Sequence, residues 1–185
     1  MGVCMDKDEK YLMGYILGDG MLRHYQGHGY EVKLTEKNYC HAEYLATLIT
    51  KLYGIKPALV KEKSRKAWRI RIYRKELYDL IKQKLEMATK NPDEQLIGGL
   101  FDAEGDYTES KCRLRFTNKD PYIVKLVEAF LRKNHVIYHI YVRRRGKHIW
   151  YNIEIYGNNL LRLISKLDLR HPKWKRMYLH LLHSH

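Results

Sequence analysis

Two segments of this 185-residue chain repeat one pattern: YLMGYILGDG at residues 11–20 and LIGGLFDAEGDY at residues 96–107. Aligned without a gap, they match Gly14 with Gly99, Ile16 with Phe101, Gly18 with Ala103, Asp19 with Glu104 and Gly20 with Gly105, every pair 85 positions apart. Each segment is an apolar helical run with small residues one turn apart, then an acid, then glycine. Small residues at that spacing let two helix backbones approach closely. The glycine is expected to end each helix in a left-handed cap. The acid then falls on the negative end of the helix dipole, where a carboxylate is disfavoured. Two such helices side by side bring two disfavoured carboxylates together, and a cation is the simplest reason to tolerate that.

The repetition runs further along the chain. VKLTEKN at residues 32–38 answers LRFTNKD at residues 114–120, placing Thr35 over Thr117 and Lys37 over Lys119 at a spacing of 82. WRIRIYRKELYDLI from Trp68 answers WYNIEIYGNNLLRLI from Trp150, with Tyr73 over Tyr156, Leu77 over Leu160 and Ile81 over Ile164 at a spacing of 83. Loop-length changes account for the drift, so the chain reads as an internal duplication. The first half spans residues 1–88, a short linker 89–93 (TKNPD), and the second half 94–185 with an extra C-terminal helix.

Within the first half, periodicity predicts a helix to Gly20, a hairpin from residues 21–25 and 30–37 around a turn at 26–29, and a helix over 39–53 closed by Gly54. Strands near 58–63 and 68–73 and a helix over 75–88 complete it. The second half repeats the order: helix to Glu104, strands near 106–108 and 111–117, helix 122–134, strands near 137–144 and 148–156, helix 158–167. A helix over 172–182 is the addition. The fold class is α+β, two αββαββα halves related by a pseudo-twofold axis. Their antiparallel sheets form a saddle, and the motif helices pack at the interface.

Lys and Arg number 35 against 21 Asp and Glu, a formal charge of +14. That excess attracts polyanions. The basic residues are interleaved with Tyr and Trp in folded elements, which points to a nucleic-acid surface. In an antiparallel sheet with one covered face, the alternate residues look outward. The expected outward set is Lys33, Thr35, Lys61, Lys63, Arg69 and Arg71 in the first half. In the second it is Lys111, Arg113, Arg115, Arg143, Arg145, Asn152 and Glu154. Arg and Lys can reach guanine edges and phosphates; Asn and Glu can read adenine and cytosine.

Cys4, Cys40 and Cys112 are too widely spaced for a zinc site and odd in number for a disulfide framework, so they are expected to be reduced thiols. No stretch has the length of a membrane span, and the N-terminus lacks a signal-peptide core. The expected location is intracellular, cytoplasmic, with no membrane partner. His180, His183 and His185 invite a metal reading, but a polar helix end is the simpler account.

These features together resemble the LAGLIDADG homing endonucleases in their single-chain form with two motif copies. LMGYILGDG at residues 12–20 and IGGLFDAEG at residues 97–105 are similar to the family signature, and the resemblance covers about residues 10–168. It implies that Asp19 and Glu104 hold divalent metal beside the scissile phosphates, helped by the backbone carbonyls of Gly18 and Ala103. It implies that Lys37 and Lys119 are the active-site lysines. It further implies Mg²⁺ as cofactor, with Mn²⁺ able to substitute, and a monomer that cuts both strands of a long double-stranded DNA target across the minor groove. Leu17 departs from the signature where Asp102 keeps it, and Glu104 replaces the commoner Asp. Phosphodiester hydrolysis itself asks for a metal on hard oxygen ligands and a nearby cation. The alternative is an intron splicing cofactor (a maturase) that binds its own intron RNA on the same scaffold; two intact acids favour cleavage.

Overall fold

Helix formation begins at sites the sequence caps well. In the computed structural model, which describes residues 5–26, 29–62, 64 and 66–183, Asp6 accepts a hydrogen bond from the Glu9 N–H at 2.7 Å and starts α1 (Lys7–Asp19). Asn38 does the same for α2 (Tyr39–Tyr53), which Gly54 closes in a left-handed conformation at φ 66°. Asp93 caps α4 (Glu94–Glu104) through the Leu96 N–H, and Asp120 caps α5 (Pro121–Lys133), whose proline occupies the first turn where its missing N–H costs nothing. The remaining helices are α3 (Lys75–Lys90), α6 (Gly157–Ile164) and α7 (Lys175–His183). α3 runs two residues beyond its expected end and leaves Asn91–Asp93 as the turn into α4.

Strands β1 (Gly20–Tyr25), β2 (Gly29–Glu36), β3 (Ala58–Glu62) and β4 (Ala67–Ile72) make an antiparallel sheet in the order β1-β2-β4-β3. Strands β5 (Gly105–Thr108), β6 (Arg113–Asn118), β7 (His139–Arg145) and β8 (His148–Tyr156) repeat it as β5-β6-β8-β7. The chain is thus α+β, the same αββαββα order twice. Each sheet turns one face to its own helices. Val32, Leu34, Ile70 and Ile72 join Leu45, Ile49, Leu77 and Ile81 in the first core. Leu114, Phe116, Ile153 and Ile155 join Val127, Phe130 and Leu163 in the second.

The two cores meet along α1 and α4. A Cβ placed on Gly14 would lie 1.9 Å from the Leu96 carbonyl oxygen, and one on Gly99 would lie 2.1 Å from that of Tyr11. Only glycine fits at either crossing. Further along, Gly18 faces Ala103, so the helices run in the same direction and end side by side.

Two expectations are corrected here. Gly20 and Gly105 do not form left-handed caps: their φ values are −85° and −84°, and the chain leaves each helix directly into an extended strand. Glycine is needed there for space, since a Cβ would meet the Ile16 or Phe101 carbonyl oxygen at 2.3 and 2.5 Å. Lys111 belongs to a 3-10 turn (Glu109–Lys111) before β6, not to the strand itself. Among the described residues, no helix is long and apolar enough to cross a membrane.

Candidate active site

The parallel motif helices deliver Asp19 and Glu104, the last residue of each, to one crevice of about 600 Å³. Neither helix carries a basic residue in its last turn, so the carboxylates face the negative dipole ends uncompensated by their own elements. Asp19 keeps an exposed edge on the crevice, but the surrounding walls desolvate it; that and the nearby Glu36 raise it to about 6. Burial raises Glu104 to about 7, and the charge of Asp19 adds to the shift. The charge of Asp19 therefore reaches Glu104 across the helix pair.

The surrounding residues differ between the halves. Asn118, the last residue of β6, donates its amide to Glu104 Oε1 at 3.0 Å. The matching position in β2 is Glu36, which the Thr35/Thr117 alignment pairs with Asn118. Burial opposes ionisation of Glu36. Hydrogen bonds from His171, the Asn38 N–H and the Tyr15 hydroxyl more than offset it and hold the group near 2. Lys37 and Lys119 follow those strand ends. The charge of Lys37 acts on Asp19 and that of Lys119 on Glu104, while the Lys119 ammonium lies 4.3 Å from the centroid of the Trp150 ring.

Asp102, which the sequence kept where Leu17 did not, is fully buried beside the crevice. Its carboxylate accepts from the Tyr11 hydroxyl at 2.5 Å, the Arg170 and His171 N–H groups, and the Trp174 indole. Among the described residues no set of three or more His, Cys, Asp or Glu side chains closes around a metal. Two carboxylates with adjacent carbonyls at Gly18 and Ala103 still fit a hard cation. Mg²⁺ keeps several waters and takes one or two carboxylates, with substrate phosphate completing the shell.

On the outer sheet faces, cross-strand pairs bring Lys33 opposite Arg71 and Thr35 opposite Arg69. In the second sheet Arg115 lies opposite Glu154, Thr117 opposite Asn152, and Arg143 opposite Trp150. Many of these arginines are held by acids of the same face: Arg69 by Glu62, Arg71 by Glu31, Arg113 by Glu154, Arg115 by Asp106. Glu154 is spent in this way. It is 7% exposed and also accepts from Tyr141 and Tyr156, so it orders the arginine rather than presenting a free acceptor.

Lys61 is a further correction. Its partner is Trp68, and both lie on the helix side of the sheet with Ile70 and Leu34; the Lys61 ammonium sits 5.7 Å from the Trp68 ring centroid. Leu59 and Val60 are adjacent and both apolar, so the sequence left the parity of this edge strand open, and Leu59 turned inward. Lys63 and the Arg145 side chain lie outside the described residues, as do Cys4 and His185. Cys40 and Cys112 are free thiols, His180 bonds the Tyr107 hydroxyl at 2.6 Å, and His183 bonds the Leu179 carbonyl oxygen. Sequence reasoning passed over Glu36, Asn118, His171 and Lys173, all at the crevice or touching its acids. The residue before each matched lysine could have signalled the first two; nothing in the sequence pattern marked the others.

The family model of the LAGLIDADG-like domain matches residues 6–85 and again residues 91–168. The chain belongs to this family. No curated protein matches it in sequence. Among solved structures, it is similar to the homing endonuclease I-DmoI in complex with DNA and Mn, at 24% identity and a TM-score of 0.71, covering 89% of this chain and 98% of that one. It is similar to I-WcaI bound to its DNA recognition sequence, at 15% identity and a TM-score of 0.65, covering 94% and 87%. The meganuclease I-SmaMI bound to DNA follows at 13% identity and a TM-score of 0.63, covering 95% and 89%. The LAGLIDADG copies of this chain thus lie on the same scaffold as those proteins.

Proposed function

We propose that this LAGLIDADG protein is a site-specific DNA endonuclease that hydrolyses one phosphodiester in each strand of a long duplex, acting as a monomer with Mg²⁺ or Mn²⁺. One observation carries the reading: two desolvated carboxylates, one from each half, share a crevice between two sheets whose outer faces are basic. A desolvated acid pair without basic residues in its own helices has little structural use and an evident chemical one.

In this reading Asp19 and Glu104 hold the metal, with the Gly18 and Ala103 carbonyls beside them. A bound divalent cation supplies Lewis acidity and neutralises charge at the scissile phosphate. The protein's own groups do the rest. Asn118 fixes the orientation of Glu104 through its amide. Lys37 and Lys119 offset negative charge that grows on the phosphate as the bond breaks. Arg71, Arg69, Arg113 and Arg115, already ordered by neighbouring acids, meet the duplex without losing much side-chain freedom. Lys33, Thr35, Arg143 and Asn152 complete the contact surface.

The test is a pair of isosteric changes. Asp19→Asn and Glu104→Gln should each keep the fold and keep DNA affinity within about threefold, while double-strand cleavage of a selected target in Mg²⁺ falls by at least about 100-fold. Full cleavage by both variants at saturating protein would remove the active-site assignment.

A further inference from the structure

Between α6 and α7 the chain crosses the junction of the halves as a strap with no counterpart after α3. Its anchors lie on both sides. The Asp102 carboxylate accepts from the N–H groups of Arg170 and His171 at 2.8 and 2.9 Å, and the Trp174 indole is buried beside it. The Arg170 guanidinium reaches Asp8 at 2.8 Å and the Tyr44 hydroxyl at 2.7 Å in the first half, and lies 4.2 Å from the centroid of the Tyr11 ring.

What the strap delivers is a cation. Lys173 Nζ donates to the Asp102 carbonyl oxygen at 2.5 Å, one residue before Ala103, and the side chain lines the crevice with Asp19 and Glu104. Lys37 and Lys119 are exposed at strand ends, whereas Lys173 is half-buried and tethered. Its charge acts on Asp19 and on Glu104 alike. A lysine needed only to satisfy a helix-terminal carbonyl would gain nothing from this position, because burial disfavours its charged form. Because it bonds the carbonyl and not a carboxylate, it occupies no oxygen of Asp19 or Glu104.

We propose that Lys173 is the resident counter-ion of the cleavage centre, a positioning residue that holds Asp19 and Glu104 together before metal arrives and sets how tightly metal is then bound. The inference rests on reading these two acids as the metal site. A fixed positive charge beside the pair steadies it in the metal-free protein and opposes an incoming dication. Removing the charge therefore has opposite effects on the two states: the metal-free protein weakens, and metal binding tightens.

The experiment uses Lys173→Gln, which keeps a donor for the carbonyl and loses the charge, with Lys173→Arg as the charge-retaining control and Lys173→Met as a second uncharged variant. Mn²⁺ is titrated calorimetrically into DNA-free protein at pH 8, and thermal unfolding is followed in EDTA and in saturating Mn²⁺. The uncharged variants should bind Mn²⁺ about tenfold tighter, and the Arg variant should stay within about threefold of the parent protein. The loss of stability in EDTA should disappear in Mn²⁺. A merely structural lysine gives the opposite record, with equal destabilisation in both buffers and unchanged or weaker Mn²⁺ binding, and that overturns the proposal. Asp19→Asn serves as the reference. If it binds Mn²⁺ as well as the parent, the metal-site reading fails; if it does not, unchanged affinity in the uncharged Lys173 variants counts against Lys173 alone.

Discussion

Asp19, Glu104 and Glu36 lie close together yet respond to acid in opposite ways. Asp19 at about 6 and Glu104 at about 7 sit above their values in the unfolded chain. The folded protein therefore keeps their protons where the unfolded chain has lost them. Their contribution to stability is present below about pH 4 and is lost as pH rises to about 7. Glu36, held near 2, works the other way: its contribution is present above about pH 4.5 and is lost as pH falls toward 2. Calorimetry in EDTA should therefore find Asp19→Asn more stable than the parent at pH 8 and nearly unchanged at pH 4. An equal shift at both pH values would rule out an electrostatic origin. Cleavage should follow the inverse trend, rising with pH through 6 to 7 as both acids ionise and can hold metal.

The α1/α4 pair carries the next test. Replacing a helical glycine by alanine ordinarily stabilises a helix by about 1 kcal/mol. At Gly14 the sign should reverse, since the added Cβ would lie 1.9 Å from the Leu96 carbonyl oxygen and neither backbone can yield without separating the halves. Gly14→Ala should cost about 3 kcal/mol in urea unfolding; a neutral or stabilising result would mean the helices are not packed this closely. The same pairing explains what the sequence revealed. The two apolar runs and their small residues showed the duplication and the helix interface, because close packing leaves few residue choices. Strand alternation gave the outward faces of β2, β4, β6 and β8, where apolar and polar residues alternate over most of each strand. It failed at Lys61, since Leu59 and Val60 sit side by side, and at Lys111, where the turn runs further than composition suggests. Asp19 and Glu104 were legible because acids are costly at those helix ends. Lys173 and His171 were not, since only the folded strap brings them back to Asp102, some 70 residues earlier, and to Glu36 in the other half.

At the scale of the molecule, a formal charge of +14 on a double-sheet surface should make binding steeply dependent on ionic strength. Fluorescence anisotropy with a target duplex should give a log K against log[salt] slope of magnitude above about 5. A flat dependence would mean that the basic faces do not lie on phosphate. Light scattering of the complex should give one protein per duplex, as both acids are supplied by one chain. The strap also bears on recombination of half-domains. A hybrid that keeps this first half but takes another protein's second half would exchange Arg170, His171 and Lys173 for whatever that tail carries, so Asp8 and Tyr44 would lose the Arg170 guanidinium and Glu36 the His171 ring. For this chain the transferable unit is the second half together with its tail, and the surface of the first half against which that tail is fitted must travel with it.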